Sequence, residues 1–511
     1  MTAQFLEHLQ SHGTAVRVPR GKDVVWDDER LHAEAWGADP QRYALAALIP
    51  GTPAAQRVRV LLQLLLASWA GLDDDVRGTL ARVCRVLALG LAPADVLTVL
   101  LAVRRRRANH GHVTRTALAL LLEHPLAAEL VRARRGVAVD CFEHAVGRRT
   151  ARACARQLAE GRPVRHALAW FGSAPQRVGA LYSPVATTRV APPPAAEADL
   201  DLAGERPETV TATNRGDLAA TLVHRFRGGP SEELTPAVER YVAEATEGLP
   251  RYGGTVALVL DRSASMRGYG DREWAVASQA EAFRLVLERV CARLVVIPVG
   301  GAESVRAAGA TAAGVTAAGA TSAGAAADGA TSAGAAADGA AADGAASAGR
   351  APAGGVALAT AGTAGGFEPV TAVPAGATDL ASGVLDAVGA GADVIAVVSD
   401  GYENVYPGDL ARVVATLPVV GVRTPVVFCQ ATFGHADDLS LRRPAPRLPR
   451  RTFWHSGDLG ALVIWVLSHV DGAEAERWLG DELRRRLALA ERELAGPHRN
   501  DSDPGLDGGG R

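Results

Sequence analysis

Asp261-Arg262-Ser263-Ala264-Ser265 sets one carboxylate and two hydroxyls in a five-residue stretch directly after the apolar run Val256 to Leu260. A hard cation such as Mg²⁺ takes six oxygen ligands in near-octahedral geometry and keeps several waters. This loop alone meets half of that requirement. A second loop, Gly376-Ala377-Thr378-Asp379-Leu380, offers the Thr378 hydroxyl, and a third, Asp400-Gly401, follows the apolar run VIAVVS and offers another carboxylate. The expectation is a divalent-cation site built from Asp261, Ser263, Ser265, Thr378 and Asp400, with Mg²⁺ as the ion and Mn²⁺ or Ca²⁺ able to replace it. Taken singly, Asp261 and Ser263 read better as a helix cap, and Asp400-Gly401 as a strand-end turn. The three pieces together favour the metal.

The elements that must position these loops are short apolar runs alternating with amphipathic stretches: VALVL, then 274–293, LVVIPV, 382–388, VIAVVS and PVVFC. Fully apolar strands alternating with helices imply a parallel sheet covered on both faces, a doubly wound, Rossmann-like α/β domain. Ligands of such sheets bind beyond the carboxyl ends of the strands. All three loops fall there or at a helix start.

On these residues, the stretch from about 255 to 470 resembles a von Willebrand factor A domain with its metal-ion-dependent adhesion site. The five positions match that family's ligand set one for one. The resemblance implies that the serines and threonine coordinate the ion, that the aspartates act directly or through water, and that an open position accepts a carboxylate from a protein partner. A tract of Ala, Gly, Thr, Ser and Asp over 302–354, with TSAGAAADGA repeated in succession, departs from the family pattern. Almost devoid of large side chains, it is expected to loop out of the domain as a disordered insertion.

Ahead of this domain, 58–69, 76–91 and 114–130 carry apolar residues at helical spacing, separated by breaks such as Pro50-Gly51, Gly71 and Pro93. The expected layout is an α-helical region over 1–182, solenoid-like in character, then a linker or irregular segment over 183–234. A connecting helix follows over 235–252, then the α/β domain over 253–470, a C-terminal helix over 471–496 and a polar tail over 497–511.

Residues 101 to 165 hold fourteen arginines against five acidic residues, including Arg104, Arg105, Arg106, Arg107, Arg132, Arg134 and Arg135. Such a cluster could attract phosphate backbones, although arginine also replaces lysine throughout this chain, whose sole lysine is Lys22. Helices followed by an A domain are similar in order to the Ro (TROVE) ribonucleoprotein family. That resemblance implies a small RNA held by the helical region. His110, His112, His144 and His166 lie nearby without convincing ligand spacing and read as ordinary surface or core histidines.

A third reading is an accessory subunit of a separate AAA-type ATPase. Lys22 lies in Arg20-Gly21-Lys22-Asp23 and belongs to no phosphate-binding Gly-x-x-x-x-Gly-Lys-Ser/Thr loop. No catalytic activity of the chain's own is expected, because no general base accompanies the carboxylates. Five scattered cysteines without a Cys-x-x-Cys pair read as reduced, buried thiols. A formal charge of -2 argues against a surface that coats polyanions as a whole. With neither a signal-like start nor an apolar stretch long enough for a bilayer, a cytoplasmic location without membrane contact is expected.

Overall fold

A computed structural model describes residues 3–13, 15–26, 28–108, 110–162, 174–182, 217–300, 373–434 and 442–495. The insertion at 302–354, most of the linker at 183–234, His166 and the tail at 497–511 lie outside these residues.

Each apolar run named above becomes a strand, because a segment without a polar face is stable only where both faces are covered. The strands are β1 (Tyr252–Asp261), β2 (Cys291–Val299), β3 (Val394–Ser399), β4 (Val426–Ala431) and β5 (Arg450–Phe453). All neighbours are parallel, in the order β2-β1-β3-β4-β5. In this order the chain moves outward from β1 in both directions, so the gap between the ends of β1 and β3 is the topological switch point. Strand β5, RRTF, has too few apolar residues to be legible as a strand in the sequence.

The period of two along the strands divides the core. Val256, Leu258 and Leu260 join one buried cluster, while Ala257 and Val259 join another with Val295, Ile297, Ile395 and Val397.

The helical region begins with α1 (Ala3–Ser11), α2 (Glu29–Ala38), α3 (Pro40–Ala46), α4 (Ala54–Leu66), α5 (Asp74–Gly90), α6 (Pro93–Arg105) and α7 (Gly111–Leu118). It continues through α8 (Ala127–Ala133), α9 (Arg135–Val146), α10 (Arg148–Ala159) and α11 (Ala174–Tyr182). The helix expected over 114–130 is interrupted: α7 widens into a π turn at Ala119–Glu123 and stops at His124, whose ψ of 123° is extended. Pro125 causes the stop, since it disfavours helical backbone in the residue before it.

Next come α12 (Leu218–Phe226) and α13 (Ser231–Ala245). Helix α12 lies within the stretch read as irregular, and Asp217 caps it by accepting from Ala220 N at 2.7 Å. Helix α13 starts four residues earlier than expected, with Glu232 and Glu233 in its first turn, where the helix dipole favours acids.

Around the sheet run the short turn α14 (Ala264–Arg267), then α15 (Ala275–Val290), α16 (Leu380–Val388), α17 (Asp409–Thr416), α18 (Leu459–Leu467) and α19 (Ala473–Ala495). Residues of α16 and α17 pack in the cluster with Ala257 and Val259; α15, α18 and α19 share the opposite cluster. That second cluster continues without a break into the N-terminal helices, from Phe5 and Leu45 to Trp465 and Leu487. Helix α19 ties the parts together: Arg42 of α3 pairs with Glu476, and Arg82 of α5 with Glu491. No helix among the described residues is long and apolar enough to cross a membrane.

Candidate metal centre

Three loops meet at the switch point, and the main chain stitches them together. Arg262 N donates to Val299 O at the end of β2 (2.7 Å), Ala375 N to Arg262 O (2.9 Å), and Ala264 N to Gly376 O (3.1 Å). Asn404 N and Val405 N both point at Thr378 O, at 3.4 and 3.2 Å. The loop after β1, the loop before α16 and the loop after β3 therefore form one surface.

Two glycines make this closeness possible. A Cβ on Gly300 would stand 2.7 Å from Ser263 N, and one on Gly401 would stand 2.5 Å from Gln430 Nε2 and 2.7 Å from Arg442 O. Both residues have positive φ, 79° and 99°, where other residues are strained.

Within this frame Asp261 is fixed at both carboxylate oxygens. Oδ1 accepts from Ser263 N at 2.8 Å, and Oδ2 accepts from the Ser399 hydroxyl at 2.6 Å. Ser399 Oγ accepts in turn from Gly401 N at 3.0 Å. Ser263 Oγ and Ser265 Oγ are 3.0 Å apart, and Asp400 Oδ1 faces Tyr402 N at 3.3 Å. Asp379 accepts from Ser382 N at 3.2 Å and so caps α16, which fixes the start of the helix immediately after Thr378.

Ser399 and Gln430 had no place in the sequence reading, yet they hold the site. Gln430 Nε2 donates to Asp400 O at 3.0 Å, and Arg450 Nη1 donates to Gln430 Oε1 at 3.1 Å. A serine and a glutamine at the carboxyl ends of otherwise apolar strands were the available signal.

The electrostatics of this cradle ask for positive charge. Asp261, Ser263, Thr378 and Asp400 are all buried, and Ser265 is the partly exposed member. Burial raises the Asp261 carboxyl to about 7, against the lowering effect of the Ser399 and Ser263 hydrogen bonds, with the nearby Asp400 raising it further. Asp400 is raised too, again by burial. Thr378 is fully buried, and among the described residues its Oγ1 has no hydrogen-bond partner. A buried hydroxyl left without a partner costs about 1–3 kcal/mol. A cation beside it would satisfy Oγ1 and offset both carboxylates. The donor set contains only oxygen, which suits Mg²⁺, Mn²⁺ or Ca²⁺ over softer ions.

Of the arginines singled out earlier, Arg104 to Arg107, Arg132 and Arg134 are exposed, and several of them have partners. Arg104 Nη1 pairs with Asp140 at 2.9 Å, Arg105 donates to the carbonyls of Pro19 and Lys22, and Arg106 lies over Trp26 at 5.0 Å. Arg132 Nε turns back to Ala128 O, and Arg135 Nε donates to Leu181 O at 2.9 Å. Arg107 and Arg134 have no side-chain partner among the described residues. His112 is buried and stacks on Trp69 at 3.9 Å, while His144 Nε2 lies 3.4 Å from Ala108 O. All five cysteines are buried free thiols.

No family model, no curated protein and no solved structure matches this chain.

Proposed function

We propose that the chain is a divalent-cation-dependent protein-binding protein, and that its switch-point site is a metal-ion-dependent adhesion site of the von Willebrand factor A type. The observation that carries this reading is Thr378 Oγ1, a fully buried hydroxyl without a partner among the described residues, set in the same stitched surface as a hydroxyl pair and two buried carboxylates. Ser263, Ser265 and Thr378 supply neutral oxygens to Mg²⁺, and Asp261 and Asp400 supply the balancing charge directly or through water. When bound, the ion offers a coordination position for a carboxylate of a partner protein.

The protein's own residues support such docking. Tyr402 and Val405 stand exposed on the segment whose main chain is bonded to Asp400 and Thr378, with Tyr406 following. Exposed aromatic side chains beside a charged anchor are the usual makings of an interface hot spot. Arg442 lies over the Tyr402 ring at 5.6 Å and adds positive charge near the same opening.

Calorimetric titration of the stripped, folded chain with Mg²⁺ and Mn²⁺, beside Asp261→Ala, tests the metal. Binding by the wild type that the substitution abolishes is the expected result. A Glu-containing peptide titrated with and without Mg²⁺ then tests the docking role: affinity that survives chelation would contradict it.

A further inference from the structure

At the opposite end of the chain, His8 and His12 lie one turn apart on α1, the helix continuing through the bond from His12 N to His8 O at 3.0 Å. Their rings stack at 4.6 Å. Both present Nε2 to the same oxygen of Asp28: Oδ2 is 3.0 Å from His8 and 3.4 Å from His12. Two ligands bound at about 2.0–2.1 Å to one tetrahedral ion stand roughly 3.3 Å apart. The observed separations straddle that value, and all three donor atoms lie within 4.8 Å of one another.

Asp28 is placed for this in an unusual way. Its backbone is left-handed, φ 61° and ψ 23°, a region that residues with a Cβ rarely adopt. It occupies the N-cap position of α2, where an aspartate ordinarily accepts from the first helical N–H groups, yet its side chain makes no capping bond. The carboxylate faces the two histidines instead. His8 Nε2 is shielded from solvent and stands 3.0 Å from Asp28 Oδ2. His8 is backed by the buried His32, whose ring meets it edge-on at 5.8 Å and whose Nδ1 is held by the Tyr43 hydroxyl at 2.7 Å. His12 is the most exposed of the three, its side chain 47% accessible, so a fourth position on the ion would open to solvent beside it.

We infer that His8, His12 and Asp28 bind a zinc-class divalent transition-metal ion as a three-ligand site with a solvent-facing fourth position. Two imidazoles and one carboxylate suit Zn²⁺ and its neighbours, whereas the all-oxygen cradle at the switch point suits Mg²⁺, so the two sites select different ions. Bound there, the ion clips α1 to the entry of α2. Helix α1 also touches the α/β domain, through Gln10 and Arg451, so the clip helps hold the N-terminus on the shared core.

The test uses the full-length chain without a histidine tag, stripped of metal and kept in millimolar Mg²⁺. Co²⁺ is titrated while visible absorption is followed, and Zn²⁺ is then added in competition. One equivalent of Co²⁺ with the intense bands of a four-coordinate site, displaced by Zn²⁺, is expected. His12→Ala and Asp28→Asn should each weaken binding at least tenfold, and Asp261→Ala should leave it unchanged. His12 is half-exposed, so its removal spares the core, and circular dichroism checks the fold of each variant. Absent Co²⁺ bands in the wild type, or equal affinity in folded His12→Ala, would overturn the inference.

Discussion

Replacing Asp261 by Asn should stabilise the metal-free protein and abolish its response to Mg²⁺. The carboxyl is raised from an unfolded value near 3.8 to about 7, roughly three units, and each unit is about 1.4 kcal/mol. Because the folded value is the higher one, the fold prefers the protonated acid. The contribution of this group to stability is full below pH 3.8 and is lost as pH rises through 7. Above pH 7 the ionised side chain therefore costs about 4 kcal/mol, net of the hydrogen bonds from Ser263 and Ser399.

Asparagine cannot ionise. Its Oδ1 can still accept from Ser263 N, while its amide group requires the Ser399 hydroxyl proton to turn away, at a cost of about 1 kcal/mol. The net gain at pH 8 is about 3 kcal/mol, and the gap between variant and wild type should widen by about 2–3 kcal/mol from pH 5 to pH 8. Urea denaturation in EDTA at several pH values measures this gap, and saturating Mg²⁺ should close it by stabilising only the wild type. A gap that stays constant with pH, or an Asp261→Asn protein that Mg²⁺ still stabilises, would refute the reasoning.

Other perturbations probe the same construction. Thr378→Val keeps the shape and removes the orphaned hydroxyl, so metal-free stability should hold or rise by about 1 kcal/mol while calorimetry shows Mg²⁺ affinity falling at least tenfold. Ser399→Ala deprives both Asp261 and Gly401 of their partner, and should cost about 2 kcal/mol in denaturant together with weaker Mg²⁺ binding. Gly401→Ala forces a Cβ to within 2.7 Å of the Arg442 carbonyl at a φ of 99°, and should cost about 2–4 kcal/mol in the same assay. Glu482→Ala leaves Arg485 and Arg486 without the buried carboxylate they share, and should cost about 3–5 kcal/mol by loosening α19 from the core.

The sheet was legible because VALVL and VIAVVS have no polar face and must be covered on both sides. For the same reason β3 spans the residues of VIAVVS with no shift in its bounds. The residues that could face a cation were legible because local spacing puts Asp261, Ser263 and Ser265 in one loop. The structure brings that loop against those of Thr378 and Asp400. What holds them was hidden: Ser399 reaches Asp261 across 138 positions, through the parallel register of β1 and β3, and no local pattern records a pairing at that distance. The Asp28 carboxylate was hidden differently, since its direction depends on one left-handed backbone angle. Helix α12 was missed because a nine-residue apolar segment lying beside a Pro-rich stretch gave too few turns to establish a period. The shared core of helices and sheet, likewise, is a property of which faces meet.

The most direct measurement is an anomalous difference map from crystals of the full-length chain soaked in Mn²⁺. A single strong peak within about 2.0–2.3 Å of Ser263 Oγ, Ser265 Oγ and Thr378 Oγ1, lost in Asp261→Ala crystals, is the result this account requires. Full Mn²⁺ occupancy elsewhere with no peak among those hydroxyls, or a Thr378 hydroxyl satisfied by a protein acceptor, would contradict it.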